Sequence, residues 1–289
     1  MDRRVTAKFW RMVPAAVEGV DFEVSLEAAF AENGASLYRE VGDTIYQLNP
    51  QSGGAGRPFL GDVIRLQADA LPSRLKKGGK AQRLSLGEGE YLGHHTAFIY
   101  DPATKLLGFE VKPAAAGLVK LAYLVSQIAK HPQCQALPVL YQAEMNRLAG
   151  TKNGVLSFKV ADPASLDAFD PELRSLRDNI KYIRDMVDGA YIHVSIGAGP
   201  RKDGLAGEGL MKTIGWLLGE RDAKRGKVRS VKVKQPHEAE PILDFLNAQF
   251  KDTLVLELSG DPEKDWVLRE NFLKSALARA VKHVNIEGK

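Results

Sequence analysis

The chain has almost no cysteine. Cys134 stands alone among 289 residues, so an intrachain disulfide framework is excluded and a reducing compartment fits best. Long apolar runs are missing too. The best one, AAAGLVKLAYLVSQIA, is broken by Lys120 and is too short to span a bilayer. The opening MDRRVTAKFWRMVP lacks the apolar centre of a signal peptide, and the expected location is the cytoplasm of a bacterial host. There is no internal repeat and no long low-complexity run. Charge of one sign is not in large excess: 40 Lys and Arg against 36 Asp and Glu give a net +4. Such a balance points to a nucleic-acid partner only through the way the cations are distributed.

Complete cofactor and metal motifs are equally scarce. His131 and Cys134 in HPQC are closely spaced, but no second pair completes a zinc site. Cys134 has no evident base to make it a nucleophile. His94 and His95 are neighbours on an extended segment, so they point to opposite faces and do not chelate together. GLAGEGLMKT (204–213) departs from the phosphate-binding loop, because Leu210 and Met211 separate the last glycine from Lys212. SIGAGP fails the dinucleotide fingerprint. The expectation is a chain with no cofactor, no metal and no catalytic residue.

One stretch argues the other way. AFIYDPATKLLGFEVKP (97–113) holds an Asp followed by Glu-Val-Lys, the order of letters in metal-dependent nucleases. It also reads as a hairpin. If Asp101 pairs with Leu106 across PATK, then Phe98, Tyr100, Leu107, Phe109 and Val111 share one apolar face. Glu110 then sits opposite Ala97, four residue pairs from Asp101, or roughly 13 Å at the usual strand rise. Two carboxylates that far apart cannot share an ion. The hairpin reading is the expectation. The nuclease alternative survives only if a second acid, such as Asp62, joins Glu110.

The rest of the chain reads as strands mixed with helices. Strands are expected at RVTAKFW, DTIYQLN and DVIRLQAD, with a helix at SLEAAFAENG capped by Ser25 and stopped by Gly34. After a linker at 149–154 come a strand (VLSFKV) and a helix (DPELRSLRDNIKYIRDMVDG, with Leu173, Leu176, Ile180, Ile183 and Val187 at helical spacing). Then follow AYIHVSI (strand), LMKTIGWLLGE (helix), RSVKVKQ (strand), PHEAEPILDFLNAQF (helix) and TLVLEL (strand). SGDPEKD reads as a second linker, and a long amphipathic helix closes the chain. Gly150, Gly154 and Gly260 would serve as hinge residues.

Cations cluster in three places. RDAKRGKVRSVKVK holds Arg221, Lys224, Arg225, Lys227, Arg229, Lys232 and Lys234 against one acid, Asp222. Arg174, Arg177, Lys181 and Arg184 recur at spacings of three, four and three, which places them on one helix face. RLKKGGK adds Lys76, Lys77 and Lys80. These residues suit contacts to phosphates, which carry affinity without reading bases. No aromatic stacking pattern of a single-strand or RNA binder accompanies them.

The segment EYLGHHTAFIYDPATKLLGFEVKPAAAGLVKLAYLV resembles the mid-chain hairpin and following helix of the RexA phage-exclusion family. The likeness continues through GTKNGVLSFKV, DGAYIHVSIGAGPRKDG, RSVKVKQPHEAEPILDFLNAQF and the C-terminal helix. It implies an α+β protein of two domains, similar in arrangement to the recombination-associated protein RdgC. A strand-rich globular domain (1–149 with 262–289) would carry an inserted α/β dimerisation domain (153–259). It further implies a non-enzymatic homodimer that binds double-stranded DNA without sequence preference. That protein would act in phage exclusion and the lysogeny–lysis decision of a temperate phage or prophage, with a RexB-type membrane protein as partner. The alternative is a metal-dependent nuclease of an anti-phage system.

Overall fold

The computed structural model is a mixed α and β, strand-rich protein. It describes residues 2–14, 22–31, 37–41, 44–54, 56–69, 71–73, 80, 82, 84–112, 115–117, 120, 121, 124, 127, 134–141, 144, 154–161, 166, 171–187, 191–197, 213–218, 228–234, 243–245 and 249–283.

The larger sheet grows from an antiparallel meander. Strands β2 (Tyr38–Val41), β3 (Thr44–Gly54), β4 (Arg57–Gln67), β5 (Leu92–Asp101) and β6 (Leu106–Glu110) pair in sequence order. Strand β1 (Asp2–Pro14) lies beside β6, and its far side pairs with β7 (Cys134–Pro138) and β12 (Lys251–Glu257). The β5–β6 hairpin has the expected register: Asp101 opposite Leu106, Tyr100 opposite Leu107 and Phe98 opposite Phe109. Phe98, Tyr100, Leu107 and Phe109 are buried together with Trp10, Leu48 and Phe59, and Val111 packs against them.

Both faces of this sheet are covered, where the sequence suggested one. Leu26 of helix α1 (Phe22–Ala31) and the helical residues Leu121 and Leu124 close the first face. The long C-terminal helix, here α3 (Trp266–His283), lays Phe272, Leu273, Ala276, Leu277 and Ala280 on the second, against Ala7, Phe9, Leu60, Ala97, Ile99 and Leu106. Alternation dictates this: odd and even residues of β5 serve different faces, and both sets are apolar. The helix therefore packs on its own chain. Helix α1 starts at Phe22, so Ser25 lies inside it and does not cap it. Glu23 in its first turn accepts hydrogen bonds from Tyr100 Oη (2.7 Å) and Lys105 Nζ (2.6 Å), which fasten the helix to the hairpin.

The second sheet has the order β11–β10–β8–β9, from β8 (Val155–Val160), β9 (Ile192–Gly197), β10 (Val228–Lys234) and the two-residue β11 (Leu243–Asp244). Within the stretch expected as a helix at 236–250, Leu243–Asp244 form β11, Phe245 is helical and its carbonyl accepts Gln249 N (3.3 Å), and 236–242 and 246–248 lie outside the described residues. Leu156, Phe158, Val160, Val231 and Val233 form one apolar face. It is buried with Ile180 of helix α2 (Pro171–Val187) and with Ile214, Trp216 and Leu217 of the helical residues 213–218.

Two sequence assignments change. TLVLEL, read as part of the middle unit, is β12 and pairs with β1 across seven residue pairs from Asp2–Glu257 to Lys8–Lys251. SGDPEKD is no loose linker: the buried Asp265 carboxylate accepts Ser259 N (2.7 Å) and Gly260 N (2.9 Å), which ties β12 directly to α3. Gly260 does adopt a left-handed φ of 96°, but it joins β12 to the helix packed on the same sheet rather than two sheets. Gly150 lies outside the described residues, and Gly154 is buried.

Candidate functional site

Two charged constellations stand out, and they differ in exposure. The first is buried under α3. Strand β4 presents Asp62, β5 presents His95, and β6 presents Glu110, all on the face that α3 covers. Arg269 of α3, only 3% exposed, drops between the two carboxylates. Its Nη2 lies 3.2 Å from Asp62 Oδ1 and 2.6 Å from Glu110 Oε2, and its Nε donates to Glu110 at 2.9 Å. Lys112 Nζ reaches Glu110 at 3.0 Å, and His95 Nδ1 lies 2.6 Å from Asp62 Oδ2. Burial alone would raise the Asp62 carboxyl; the His95 hydrogen bond and the Arg269 charge outweigh it and hold the group below the usual range. Burial lowers the Lys112 ammonium, and Glu110 offsets only part of that. Arg269 is raised despite burial, by Asp62 and Glu110 together.

Asp101 has no place in this cluster. It caps the hairpin loop by accepting Thr104 Oγ1 (2.5 Å) and Ala103 N (3.4 Å). Asp62 does join Glu110 and Lys112, as the nuclease alternative requires. A metal does not fit them as they stand, because the guanidinium occupies the ground between the carboxylates and answers their charge. Among the described residues no three His, Cys, Asp or Glu side chains converge with metal-binding geometry.

The second constellation is on the open face of the smaller sheet. Side chains alternate, so the residues between the buried ones point away from α2. Across the register Asp244 faces Lys232, Lys232 faces Ser157 and Ser157 faces Ser195. In the next row Ser230 faces Lys159 and Lys159 faces His193; Lys234 occupies the row beyond, opposite Val155. Ser157 Oγ lies 2.6 Å from His193 Nε2, and Ser195 Oγ donates to Ser157 Oγ at 3.4 Å. Lys159 Nζ sits 3.9 Å from the centre of the Tyr191 ring. Lys232 keeps a long contact of 3.7 Å to Asp244 with its side chain 41% exposed. Three lysine positions, three hydroxyls and an imidazole thus share one face. Asp244 is the one carboxylate on that face among the described residues.

The structure separates the cations that the sequence grouped. Lys232 and Lys234 belong to the open face, whereas Arg174, Arg177, Lys181 and Arg184 ride on α2, which covers the opposite face through Ile180 and Leu176. Arg177 and Arg184 are held by their immediate neighbours, Asp178 (2.7 Å) and Asp185 (2.6 Å). Arg229 is exposed beside a bulge in β10, and Lys80 is exposed in a separate segment. Arg221, Lys224, Arg225, Lys227, Lys76 and Lys77 lie outside the described residues, as does His131. Lys159, His193, Ser157 and Ser195 were missed in the sequence. Their signal was there: polar residues at alternate positions in VLSFKV and YIHVSI.

Comparison with known protein families and with curated proteins finds no match for this chain. Among the described residues no helix is long and apolar enough to cross a membrane.

Proposed function

We propose that this protein binds double-stranded DNA without sequence preference, through the phosphates, and performs no catalysis. The observation that carries the reading is the open face of the smaller sheet. There Lys159 and Lys232 alternate with the hydroxyls of Ser195 and Ser230 and with His193, around the buried Ser157, and Lys234 follows in register at the end of β10. These are the side chains that contact phosphate oxygens, and none of them reads base edges in a fixed pattern. The basic run 221–227 leads straight into β10 and extends the same charge in sequence. The setting in phage exclusion, with a RexB-type membrane protein as partner, rests on the RexA resemblance.

The test is gel retardation of unrelated duplexes over a salt series. Affinity falls linearly on a log–log plot, with a slope of about −0.9 for each phosphate neutralised. Reversing Lys159 and Lys232 to Glu weakens binding to every duplex alike and makes the slope shallower. Undiminished affinity in that variant overturns the assigned surface. The nuclease reading predicts Mg²⁺-dependent cleavage that disappears in Glu110→Ala. With Arg269 between the carboxylates, the expected result is intact DNA.

A further inference from the structure

Phosphate contacts leave one side chain of the open face without a task. Tyr191 stands just before β9 and is 57% accessible. Its ring belongs to the open side of the smaller sheet, because Lys159 Nζ, from β8, rests 3.9 Å from the ring centre. His193, also exposed, follows two residues later and lies directly across from Lys159. A duplex held through its phosphates gives the Tyr191 ring nothing to stack on, since each paired base is covered by its neighbours. An unpaired base does present a flat face. We propose that Tyr191 is a stacking site for an unpaired base, so that this face holds DNA with a bulged, flipped or frayed nucleotide more tightly than plain duplex. This preference rests on the DNA-binding reading above and adds to it the kind of DNA that is held best.

The architecture suits the task. The smaller sheet has four strands, with α2 and the helical residues 213–218 packed on one side and the polar residues on the other. A four-stranded sheet that carries rings on its open side is a general platform for splayed bases. The second ring is held in place: His193 Nε2 lies 2.6 Å from Ser157 Oγ, which in turn accepts a hydrogen bond from Ser195 Oγ at 3.4 Å. Two residues along an extended chain place the two rings roughly 6.6 Å apart at their origins, the reach of a single nucleotide.

The cation over the ring completes the site. Lys159 makes a cation–π contact with Tyr191, and at an exposed ring such a contact is weak. Stacking of a base is the stronger of the two. A base that takes the ring therefore displaces the ammonium, which is then free to meet the phosphate beside that base. Lys232, one strand further, serves the next phosphate. Every base has a π-face, so stacking leaves binding indifferent to sequence. Ring and cation come from separate strands, and the pattern forms only when β8 and β9 pair.

Fluorescence anisotropy at low salt tests it with two labelled DNAs, a plain duplex and the same duplex carrying one unpaired base. The bulged duplex binds about fivefold or more tightly than the plain one, the lower end of what one stacked base contributes. A fluorescent purine analogue at the unpaired position dims on binding, which reports the stacking directly. Tyr191→Ala brings the two DNAs to equal affinity and abolishes the dimming, with circular dichroism reporting that the fold is kept. Tyr191→Phe retains both effects, because the ring is retained. Equal affinity of the wild-type chain for the two DNAs, a preference that survives Tyr191→Ala, or one lost in Tyr191→Phe overturns the stacking site and leaves the phosphate-binding surface standing. No binding of either DNA overturns the DNA-binding reading as well. Should Tyr191→Ala unfold the chain, Tyr191→Phe and the dimming of the analogue on the wild-type chain still decide.

Discussion

Asp62 and Glu110 flank Ala97 from either side beneath a helix, where a lone carboxylate would be costly to bury. Arg269 is what makes the pair tolerable. Replacing it with Ala leaves two buried carboxylates without their shared cation, and the expected loss is about 3–5 kcal/mol, read from urea denaturation midpoints. A shift within error would mean that the helix is held by its apolar stripe alone. The same cluster sets an acid limit. Asp62 is held below its ordinary range in the folded chain, so on acidification the unfolded chain takes up that proton first. Its contribution is complete above the ordinary aspartate pKa of about 4 and is lost as pH falls through the folded value. Asp62→Asn should therefore flatten the acid limb of a stability–pH curve; parallel curves for wild type and variant would contradict this. Only part of this cluster was legible beforehand. Asp62 could be suspected because Glu110 needed a second acid. Arg269 carried no signal, since it lies 159 residues from Glu110 and looks like any cation on an amphipathic helix.

At the scale of elements, alternation and helical spacing were readable wherever a segment had one clear period. The β5–β6 hairpin, β8, α2, β9 and β10 all follow from such patterns. Strand β7 did not, because it begins at Cys134 inside a segment with no period of its own. Nor did the partner of β12: alternation marks a strand but does not say which sheet takes it. The hairpin also explains a glycine. A Cβ on Gly108 would sit 2.5 Å from Phe9 Cε1, against a ring that is itself fully buried. Gly108→Ala should cost about 1–3 kcal/mol by overpacking, seen as a lower melting temperature. An unchanged melting temperature would show that Phe9 can move aside.

At the scale of the whole molecule, the two sheets share packing. Leu137 of the large sheet's β7 and Leu140 just after it join the apolar cluster of the smaller sheet, while Val139 joins the cluster under α3. Gly215 lies so close to Ala136 O that no side chain fits there. Unfolding should accordingly be one cooperative event, with tryptophan fluorescence (Trp10 in one cluster, Trp216 in another) and far-UV circular dichroism giving one midpoint. Two separated transitions would show that the sheets unfold independently. The pairing of β1 with β12 has a last consequence, for the chain as it leaves the ribosome. Thr6 meets Thr253, 247 residues later, so β1 waits for a strand made long after it. Until α3 emerges, Asp62 and Glu110 have no Arg269 to neutralise them, and the second face of the sheet has no cover. The nascent chain must carry an open edge and an unfinished core while the residues between the two strands are made, the condition in which chaperone binding and misassembly compete with folding.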